Sequence, residues 1–480
     1  MHDMPRMAIA STHIVQTWPN GGALRVTAII EDEALNSLSQ AMRGELVAPG
    51  SNGYDAARRV FNGMIDRRPA LIARCRGVSD VQAAISFARA HDLPVAVRGG
   101  GHNVAGHGTC DGGVLVDCSL MRGVRVDVAS QTARADPGCT WTDFDTETVA
   151  HGLATTGGTV GSTGIGGLTL GGGLGFLMGS HGLTCDNLLS VDIVTADGRF
   201  LTLSDQSNPE LFWGIRGCGG NFGIVTSFEY RLHPVGELLA GLVVYPIAYA
   251  REALDLFRET TSSAPDELTC AFAMVSLPDG ARVAAIAACY DGSIDDGAAL
   301  VGRLRRLGPP IDDGIRPMPY TDVQKTFAEI PFGLQNYWKG HFLRDLPDEA
   351  IEATVDSFDA VTSDHSAILI EAPHGAVRSM PEADTAFGQR QAQYNASALA
   401  IWENPSDSAR HTSWSRAYAA AISPFASGGY VNYLGDDASP ADVAAAYGIP
   451  RYKRLAALKS EYDPTNMFRF NQNIAPLAPA

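Results

Sequence analysis

Hydrophobic and polar positions follow a different pattern in each half of the chain. In the first half, SDVQAAISFARAHDLPVAVRGGG predicts a capped helix that begins after Ser79 and ends near His91, then an apolar strand over Val95–Arg98 and a glycine turn. The β-branched runs GVLVDCSL, VRVDVASQTARAD and LLSVDIVTADGRFLTL follow, and turn signals such as Asp197-Gly198 separate them. This half therefore favours an α+β domain with mixed sheets.

From about Val235, apolar strands alternate with helices. The strand-like segments are LLAGLVVYPI, ELTCAFAMVSL and RVAAIAACYDG, and the helical ones are REALDLFRETT and DEAIEATVDSFDAVTS. This pattern predicts a second domain with an antiparallel sheet covered by helices. A helix over residues 450–462 and the polar, aromatic segment DPTNMFRFNQNIAP follow, and we expect this segment to return to the first domain. The predicted parts are residues 30–235, 236–425 and 426–480.

Composition and charge narrow the class of function. The chain has 36 basic and 53 acidic residues and a formal charge of -17, which opposes binding to nucleic acid or anionic lipid. No run approaches the roughly 18 apolar residues of a membrane span, and MHDMPRMAIAST does not show the pattern of a secretory signal. We therefore expect a cytoplasmic protein. The eight cysteines are scattered without metal-ligand spacing, so we expect free thiols and no metal site.

Three glycine-rich elements carry the chemical signal of the first domain. In VRGGGHN (97–103), successive glycines let backbone N–H groups converge on an anion such as a pyrophosphate, although a structural turn explains them equally well. The second element, residues 157–167 and 170–175, has too many glycines for an amphipathic helix or a packed strand, so it predicts a loop against a large planar ligand. The third, residues 213–225, repeats the pattern. Three such loops favour one long ligand.

These elements in this order, with FNQNI near the C-terminus, resemble the vanillyl-alcohol-oxidase-type flavoproteins. Within that group the chain is similar to the berberine-bridge-enzyme-like branch, from about Arg67 to Pro476. The resemblance implies a two-subdomain FAD-binding fold of the PCMH type for residues 30–235. It implies a substrate-binding domain for residues 236–425 and a berberine-bridge-like C-terminal segment for 426–480.

The resemblance also implies a covalent FAD on His102. In this family, the histidine that ends the Arg-Gly-Gly-Gly-His pattern is bonded through its ring nitrogen to a methyl carbon of the isoalloxazine. Some members add a bond from a cysteine, whose position here is Val160. We therefore expect a single link through His102, with Cys139 and Cys185 as packed thiols.

Further FAD contacts follow from the same resemblance. They are Arg98, Gly99, Gly100, Gly101 and Asn103 around the pyrophosphate; Gly161, Thr163, Gly164, Gly166, Gly167, Gly173 and Gly175 along the isoalloxazine and ribityl chain; Gly223 and Val225 near the adenosine; and Gln472 and Asn473 near the flavin ring.

The motif GYVNY (429–433) supplies the first candidates for a general base. If it forms a strand, Tyr430 and Asn432 lie on one face and Val431 and Tyr433 on the other. Relatives that oxidise alcohols use a tyrosine of this motif as the base, so the resemblance makes Tyr430 the first candidate and Tyr433 the second. A tyrosine of the hydrophobic core is the alternative.

A second set of candidates comes from the substrate domain. Glu371 and His374 end a predicted strand, where some relatives place a catalytic carboxylate and where solvated charges are the alternative. Lys339 and Arg378 are candidate cations that would lower the pKa of a catalytic tyrosine. Candidate pocket walls, which core packing explains equally well, are Asn336, Tyr337, Trp338, Lys339 and Trp402. Two histidines beside glycines are interpreted as structural, namely His107 and His181.

The resulting hypothesis is an FAD-dependent oxidase of bacterial secondary metabolism. It would take a hydride from a carbon next to oxygen or nitrogen in a small molecule and reduce dioxygen to hydrogen peroxide. A dehydrogenase, an oxidative cyclase or a flavin oxygenase would use the same flavin site. A flavin-binding protein without a base is the non-enzymatic alternative. The substrate and the oligomeric state are not predicted.

Overall fold

The computed structural model describes residues 15–16, 25–26, 30–327 and 329–478. Its architecture is α+β, which confirms the fold class predicted from the sequence. The segment MHDMPRMAIAST, which does not show the pattern of a secretory signal, lies outside the described residues. Within the described ranges, each helix is too short or too polar to span a lipid bilayer.

The α-helices of the described residues vary from single turns to four turns in length. They are Asp32–Ala41, Tyr54–Ala57, Val78–Ala90, Trp141–Val149, Ile165–Leu170, Met178–His181, Pro209–Ile215, Ala250–Ser262, Ile294–Gly302, Tyr320–Val323, Asp348–Asp359, Ala376–Ser379, Ser408–Ile422, Pro440–Tyr447 and Ile449–Tyr462.

A four-stranded mixed sheet forms the first subdomain. Its strands lie side by side in the order Glu45–Val47, Leu71–Arg74, Val114–Asp117 and Val95–Arg98, and the last three are parallel. The strand Val95–Arg98 has the predicted bounds. The helix before it begins at Val78, before the predicted capping residue Ser79, because the carboxylate of Asp80 accepts the N–H of Arg76 at 2.8 Å and fixes the first turn.

An antiparallel sheet of five strands forms the second subdomain. Its strands, in spatial order, are Phe200–Ser204, Leu188–Thr195, Gly223–Arg231, Thr132–Ala135 and Val124–Asp127. The helix Trp141–Val149 packs against this subdomain, and a capping box between Thr140 and Asp143 fixes where it begins.

The third sheet is antiparallel and belongs to the second half of the chain. Its strands, in spatial order, are Asp312–Asp313, Leu238–Pro246, Arg282–Tyr290, Leu268–Ser276, Ala367–Glu371, Tyr394–Trp402, Gln335–Leu343 and Ala426–Gly428, with Arg316–Met318 also paired to Leu238–Pro246. Two short pairs complete the strands, Leu153–Ala154 with His233–Pro234 and Val15–Gln16 with Arg25–Val26. Three long helices cover one face of the third sheet, namely Ala250–Ser262, Asp348–Asp359 and Ser408–Ile422. Trp338 and Glu371 lie on the other face, towards the first domain.

The C-terminal segment lies against the first domain. Its main anchor is the ammonium group of Lys459, which is fully buried and donates to the carbonyl oxygen of Asn221 at 2.8 Å, to Asp463 Oδ2 at 2.6 Å and to the carbonyl oxygen of Phe468 at 3.0 Å. The backbone N–H of Val95 also donates to the carbonyl oxygen of Met467. These bonds hold the segment across the third glycine-rich element and the edge of the first sheet.

Candidate active site

A cleft of about 300 Å³ lies where the three sheets and the C-terminal segment meet. Its walls come from the three glycine-rich elements, the turn at residues 430–433, the large sheet and residues 468–472. The predicted site residues that line it are Arg98, Gly99, Gly100, Gly101, His102, Asn103, Thr163, Gly164, Gly166, Gly167, Gly223, Val225, Glu371, Tyr430, Asn432, Tyr433 and Gln472. Segments that are far apart in the sequence therefore form one site.

Four predicted cofactor contacts do not lie on the cleft surface. Gly173 donates its N–H to the hydroxyl of Tyr430 at 3.1 Å, behind the wall. A Cβ on Gly175 would lie 1.8 Å from the carbonyl oxygen of Gly157, so this glycine lets two loop segments touch. Gly161 accepts the N–H of Thr142 at 2.8 Å. Asn473 keeps a buried Oδ1 without a partner among the described residues.

The first and second glycine-rich elements touch through their backbones. A Cβ on Gly100 would lie 2.6 Å from the Cα of Gly164, and a Cβ on Gly164 would lie 2.5 Å from the nitrogen of Gly100. Real Cβ atoms do not come this close to backbone atoms. The two positions therefore need glycine so that the loops can meet at the cleft.

Replacing Gly164 with Ala is expected to separate these loops. Because the added methyl meets backbone atoms that cannot rotate away, we expect a loss of about 2–3 kcal/mol in the free energy of unfolding and a lower flavin content. Denaturant unfolding and the ratio of flavin to protein absorbance measure both effects. Gly236→Ala is the matched control, because nothing lies within 4 Å of a Cβ there. Equal stability of the two variants would show that the contact between the loops is dispensable.

Part of the second glycine-rich element is a helix, so the prediction of a loop throughout is wrong. Ile165–Leu170 forms an α-helix of six residues. Ile165 is fully buried in the core, and Thr169 donates or accepts a hydrogen bond with the hydroxyl of Tyr230 at 2.7 Å, which anchors the helix from behind. Two glycines each cost about 1 kcal/mol relative to alanine in a helix, and tertiary packing outweighs this cost. A Cβ on Gly167 would meet nothing within 4 Å, so the cleft has room beside this residue, whereas Leu168 and Leu170 of the same helix also line the cleft.

The motif GYVNY forms a turn, so the predicted strand is wrong. The N–H of Tyr433 donates to the carbonyl oxygen of Tyr430 at 2.9 Å, and the N–H of Leu434 donates to the same oxygen at 3.1 Å. These bonds bend the chain between the sheet and the C-terminal helices. Tyr430, Val431, Asn432 and Tyr433 consequently all line the cleft, where strand alternation would have divided them between two faces.

Tyr430 is held from three sides. Its hydroxyl oxygen accepts the N–H of Gly173 at 3.1 Å and the amide Nδ2–H of Asn432 at 2.9 Å, and its ring packs edge-on against Phe342. Burial raises the pKa of this phenol above its usual value, and the nearby Glu371 raises it further. The two donors act in the opposite direction but are weaker. Tyr430 is therefore a neutral phenol at physiological pH.

Glu371 ends the strand Ala367–Glu371 at the cleft and is 4% exposed. Its Oε2 accepts the amide Nδ2–H of Asn395 at 2.8 Å and the hydroxyl of Tyr433 at 3.4 Å. The ring of Trp338 packs edge-on against Tyr433, with ring centroids 5.3 Å apart. Burial raises the pKa of the Glu371 carboxyl group to about 7, although both hydrogen bonds favour the ionised form. Glu371 can therefore accept or release a proton near neutral pH.

His102 lies in the same cleft and has a ring nitrogen without a partner. Its Nε2 is buried and makes no hydrogen bond to the described residues. The imidazole stacks on Phe61 at a centroid distance of 4.8 Å and meets Phe332 edge-on at 5.1 Å. Burial lowers the pKa of His102 to about 4. The ring is therefore neutral and nucleophilic at physiological pH.

Arg98 lines the cleft, and its guanidinium group forms a buried ion pair. Its guanidinium group binds both oxygens of Asp117, with Nη2 and Oδ2 2.5 Å apart, and also donates to the carbonyl oxygen of Arg59. Burial raises the pKa of Asp117, but the hydrogen bonds and the charge of Arg98 outweigh it, so the pKa lies below the usual value. The pair fixes the base of the first glycine-rich element.

Several candidates from the second domain lie away from the cleft. Lys339 forms an ion pair with Asp437 at 2.8 Å. Arg378 donates to the carbonyl oxygen of Ala392, and His374 bonds through Nε2 to the carbonyl oxygen of Leu268 at 2.8 Å. Four of the five predicted pocket walls do not line the cleft, namely Asn336, Tyr337, Lys339 and Trp402, whereas Trp338 does.

The interpretation of the histidines and cysteines has mixed support. His107 lines the cleft, whereas His181 stacks on His233 outside it. All eight cysteines are free and buried, as predicted. Cys118 nevertheless lines the cleft. Other wall residues that the sequence did not single out include Pro137, Tyr447 and Phe468. Phe470 and Asn471, which begin the FNQNI motif, also line the cleft.

Two family models match the segments that form this cleft. Residues 69–204 match a model described as an FAD binding domain, and residues 429–475 match one described as berberine and berberine like. The first match contains the first two glycine-rich elements, and the second contains the turn at residues 430–433 and the C-terminal segment.

Full-length relatives extend this similarity over the chain. An FAD-linked oxidoreductase of Dictyostelium discoideum is 35% identical over 451 residues, which cover 93% of this chain and 97% of that protein. The (R)-6-hydroxynicotine oxidase of Paenarthrobacter nicotinovorans is 32% identical over 456 residues, or 91% of this chain and 97% of that protein. The chain belongs to the berberine-bridge-like FAD-linked oxidoreductases. The family resemblance stated from the sequence is therefore confirmed, and the protein is an enzyme.

Solved structures agree with this assignment. The crystal structure of 6-hydroxy-D-nicotine oxidase from Arthrobacter nicotinovorans superposes with a TM-score of 0.83 at 31% identity and covers 91% of this chain and 98% of that one. A chitooligosaccharide oxidase superposes with a TM-score of 0.81 at 25% identity and covers 93% and 100%. The names of these two oxidases point to different substrates.

The residues of the cleft fit FAD. His102 offers a buried ring nitrogen without a partner, and a Cβ on Gly167, Gly219 or Gly220 would meet nothing within 4 Å, so the cleft has room beside these backbones. In this FAD-linked oxidoreductase, the glycine-rich elements would hold the cofactor with backbone N–H groups. Across residues 30–327 and 329–478, no group of His, Cys, Asp or Glu side chains is arranged to hold a metal ion.

Proposed function

We propose that this FAD-linked oxidoreductase is an oxidase that takes a hydride from an alcohol or amine carbon of a small molecule and reduces dioxygen to hydrogen peroxide. The observation that carries the proposal is the presence of Glu371, with a pKa near 7, in the same cleft as His102. When bound, FAD supplies the hydride acceptor and passes the electrons on to dioxygen. The names of the related oxidases support this reaction class.

The role proposed for His102 is covalent attachment of the cofactor. A neutral imidazole with an unpartnered nitrogen is the form that makes a bond to carbon, and burial keeps His102 in that form. Phe61 and Phe332 hold the ring in place by stacking and edge contact. Val160 lines the cleft where some relatives have a second attachment residue, which supports a single link.

The role proposed for Glu371 is that of the general base. It would accept the O–H or N–H proton of the substrate as the hydride leaves, because its pKa lies near the working pH. Tyr433 donates to Glu371 Oε2 and would orient the carboxylate towards the cleft. Tyr430, the first candidate from the sequence, would instead support the wall, because its oxygen is engaged by Gly173 and Asn432.

The experiment that tests this proposal is acid precipitation of the purified protein, followed by flavin fluorescence of pellet and supernatant. Wild-type protein is expected to keep its flavin in the pellet. The variant His102→Ala is expected to release any bound flavin to the supernatant, because no bond then joins it to the chain. His151→Ala, at an exposed histidine, is the matched control and should behave as wild type.

A second arm tests the reaction. Consumption of dioxygen and formation of hydrogen peroxide are measured with a panel of alcohols and amines. One peroxide per dioxygen consumed supports an oxidase, whereas reduction of an artificial dye without uptake of dioxygen contradicts it. Complete release of flavin from wild-type protein by acid would contradict the covalent link.

A further inference from the structure

We propose that Asn395 is a positioning residue for Glu371, which it holds through Oε2 so that Oε1 is presented to the substrate. Nothing in the family similarity assigns a role to this asparagine. The inference rests on the proposed function of Glu371 as the general base, and its test is designed so that the two can fail separately.

The contact between the two residues is built into the large sheet. Glu371 and Asn395 are directly paired partners of the antiparallel strands Ala367–Glu371 and Tyr394–Trp402. Side chains paired in this way lie on the same face with Cβ atoms about 5 Å apart, so the amide is within reach of the carboxylate. Asn395 is 1% exposed, and its Nδ2 lies 2.8 Å from Glu371 Oε2.

The hydrogen bonds make the two carboxylate oxygens of Glu371 inequivalent. Asn395 and Tyr433 both donate to Oε2, and these are the hydrogen bonds that the described residues make to the carboxylate. Oε1 is consequently the oxygen left for a proton from the substrate. The bond from Asn395 is the shorter of the two, at 2.8 Å against 3.4 Å, so this amide fixes the orientation of the carboxylate more strongly.

The same amide favours the ionised form of the base. An N–H donor stabilises a carboxylate more than a carboxylic acid, and it opposes the effect of burial on the pKa of Glu371. The titratable groups that approach Glu371 are the hydroxyls of Tyr430 and Tyr433, both from the turn. The adjacent strands present Ala271 and Asn395 beside it, which carry no charge. Asn395 therefore increases the fraction of Glu371 that is ionised at neutral pH, against the larger effect of burial.

The test is a mutant cycle on the holoenzyme with wild type, Asn395→Leu, Glu371→Gln and the double variant. The free energy of unfolding is measured from pH 5 to pH 9. Because the folded-state pKa of Glu371 is raised to about 7 from its ordinary value, its contribution to stability is full at low pH and is lost as the pH rises through about 7. The difference between wild type and Glu371→Gln isolates this loss from that of other buried acids such as Asp145, whose pKa burial also raises to about 7.

Asn395→Leu is expected to raise the pH at which this stability is lost by about one unit, because the carboxylate loses a charge-assisted donor. In the Glu371→Gln background, the same substitution should change stability by an amount that does not depend on pH. Ser397→Ala is the control on the same strand and face, since Ser397 is buried and pairs with Leu369 instead of Glu371. It should leave the midpoint of the pH dependence where it is.

An unchanged midpoint in Asn395→Leu, or a shift that persists without Glu371, would overturn the proposal. Asn395→Asp keeps the shape of the side chain and guards against misfolding of the leucine variant. A second carboxylate at this position should also raise the midpoint, because two adjacent acids cannot both ionise easily. With any substrate that is turned over, the pH profile of kcat should shift in the same direction, with activity recovering towards pH 9. If no substrate is found, the stability cycle still decides the role of Asn395.

Discussion

Replacing Glu371 with Gln is expected to lower the rate of flavin reduction by substrate about 10²- to 10⁴-fold, the usual contribution of a general base. The glutamine keeps the size of the side chain and can still accept the hydrogen bond from Asn395, so the fold and the flavin content should not change. The measurement is the rate of flavin reduction by substrate under anaerobic conditions, together with the flavin to protein ratio. This separates proton transfer from the later reaction with dioxygen.

The control for this variant is Glu403→Gln, at an exposed glutamate that contacts His365. Its rate should equal that of wild type.

In the wild-type enzyme, the rate should rise as the pH increases through about 7, because the base must be ionised before it accepts a proton. A loss of less than fivefold in Glu371→Gln would exclude this residue as the base and return attention to Tyr430.

Replacing Lys459 with Met is expected to cost about 3–5 kcal/mol in the free energy of unfolding, the range for removal of one partner of a buried ion pair. Lys459 and Asp463 are both fully buried, so the substitution leaves a carboxylate without its cation. Two carbonyl oxygens, of Asn221 and Phe468, lose their donor as well. Denaturant unfolding at pH 7 measures the loss.

The matched control is Lys325→Met, which removes a mostly exposed lysine from an ion pair with Asp322. Exposed pairs of this kind contribute little, so we expect no measurable change. The variant Lys459→Met should also bind less flavin, because its anchor positions the segment that lines one side of the cleft. A variant as stable as the control would mean that burial of the remaining carboxylate is relieved by protonation or by water.

The sequence predicted best those elements whose hydrophobic pattern and local turn signals agree. The strand Val95–Arg98 and the helix Ala250–Ser262 lie where their patterns place them. His102 was located because a short motif with a fixed order carried the family resemblance. In each of these cases, the information lies within a few consecutive residues.

Predictions failed where distant contacts decide the conformation. Ile165–Leu170 is helical despite two glycines, because Ile165 is buried in the core and the hydroxyl of Thr169 makes a hydrogen bond to that of Tyr230, on the strand Gly223–Arg231. The GYVNY motif alternates like a strand but forms a turn, since the chain must leave the sheet there. Lys339 was a candidate partner for a tyrosine, but it pairs with Asp437, almost a hundred residues away. The spacing of hydrophobic and polar residues along the chain gives no information about such contacts.

The anchor at Lys459 also has a consequence for the synthesis of the protein. The carbonyl group that it binds belongs to Asn221, which precedes it by 238 residues. Proteins are made from the N-terminus at about 5–20 residues per second, and domains fold as they emerge. The first domain therefore leaves the ribosome well before the segment that closes its cleft. The cleft is complete only after the segment around Lys459 has been made and has reached Asn221.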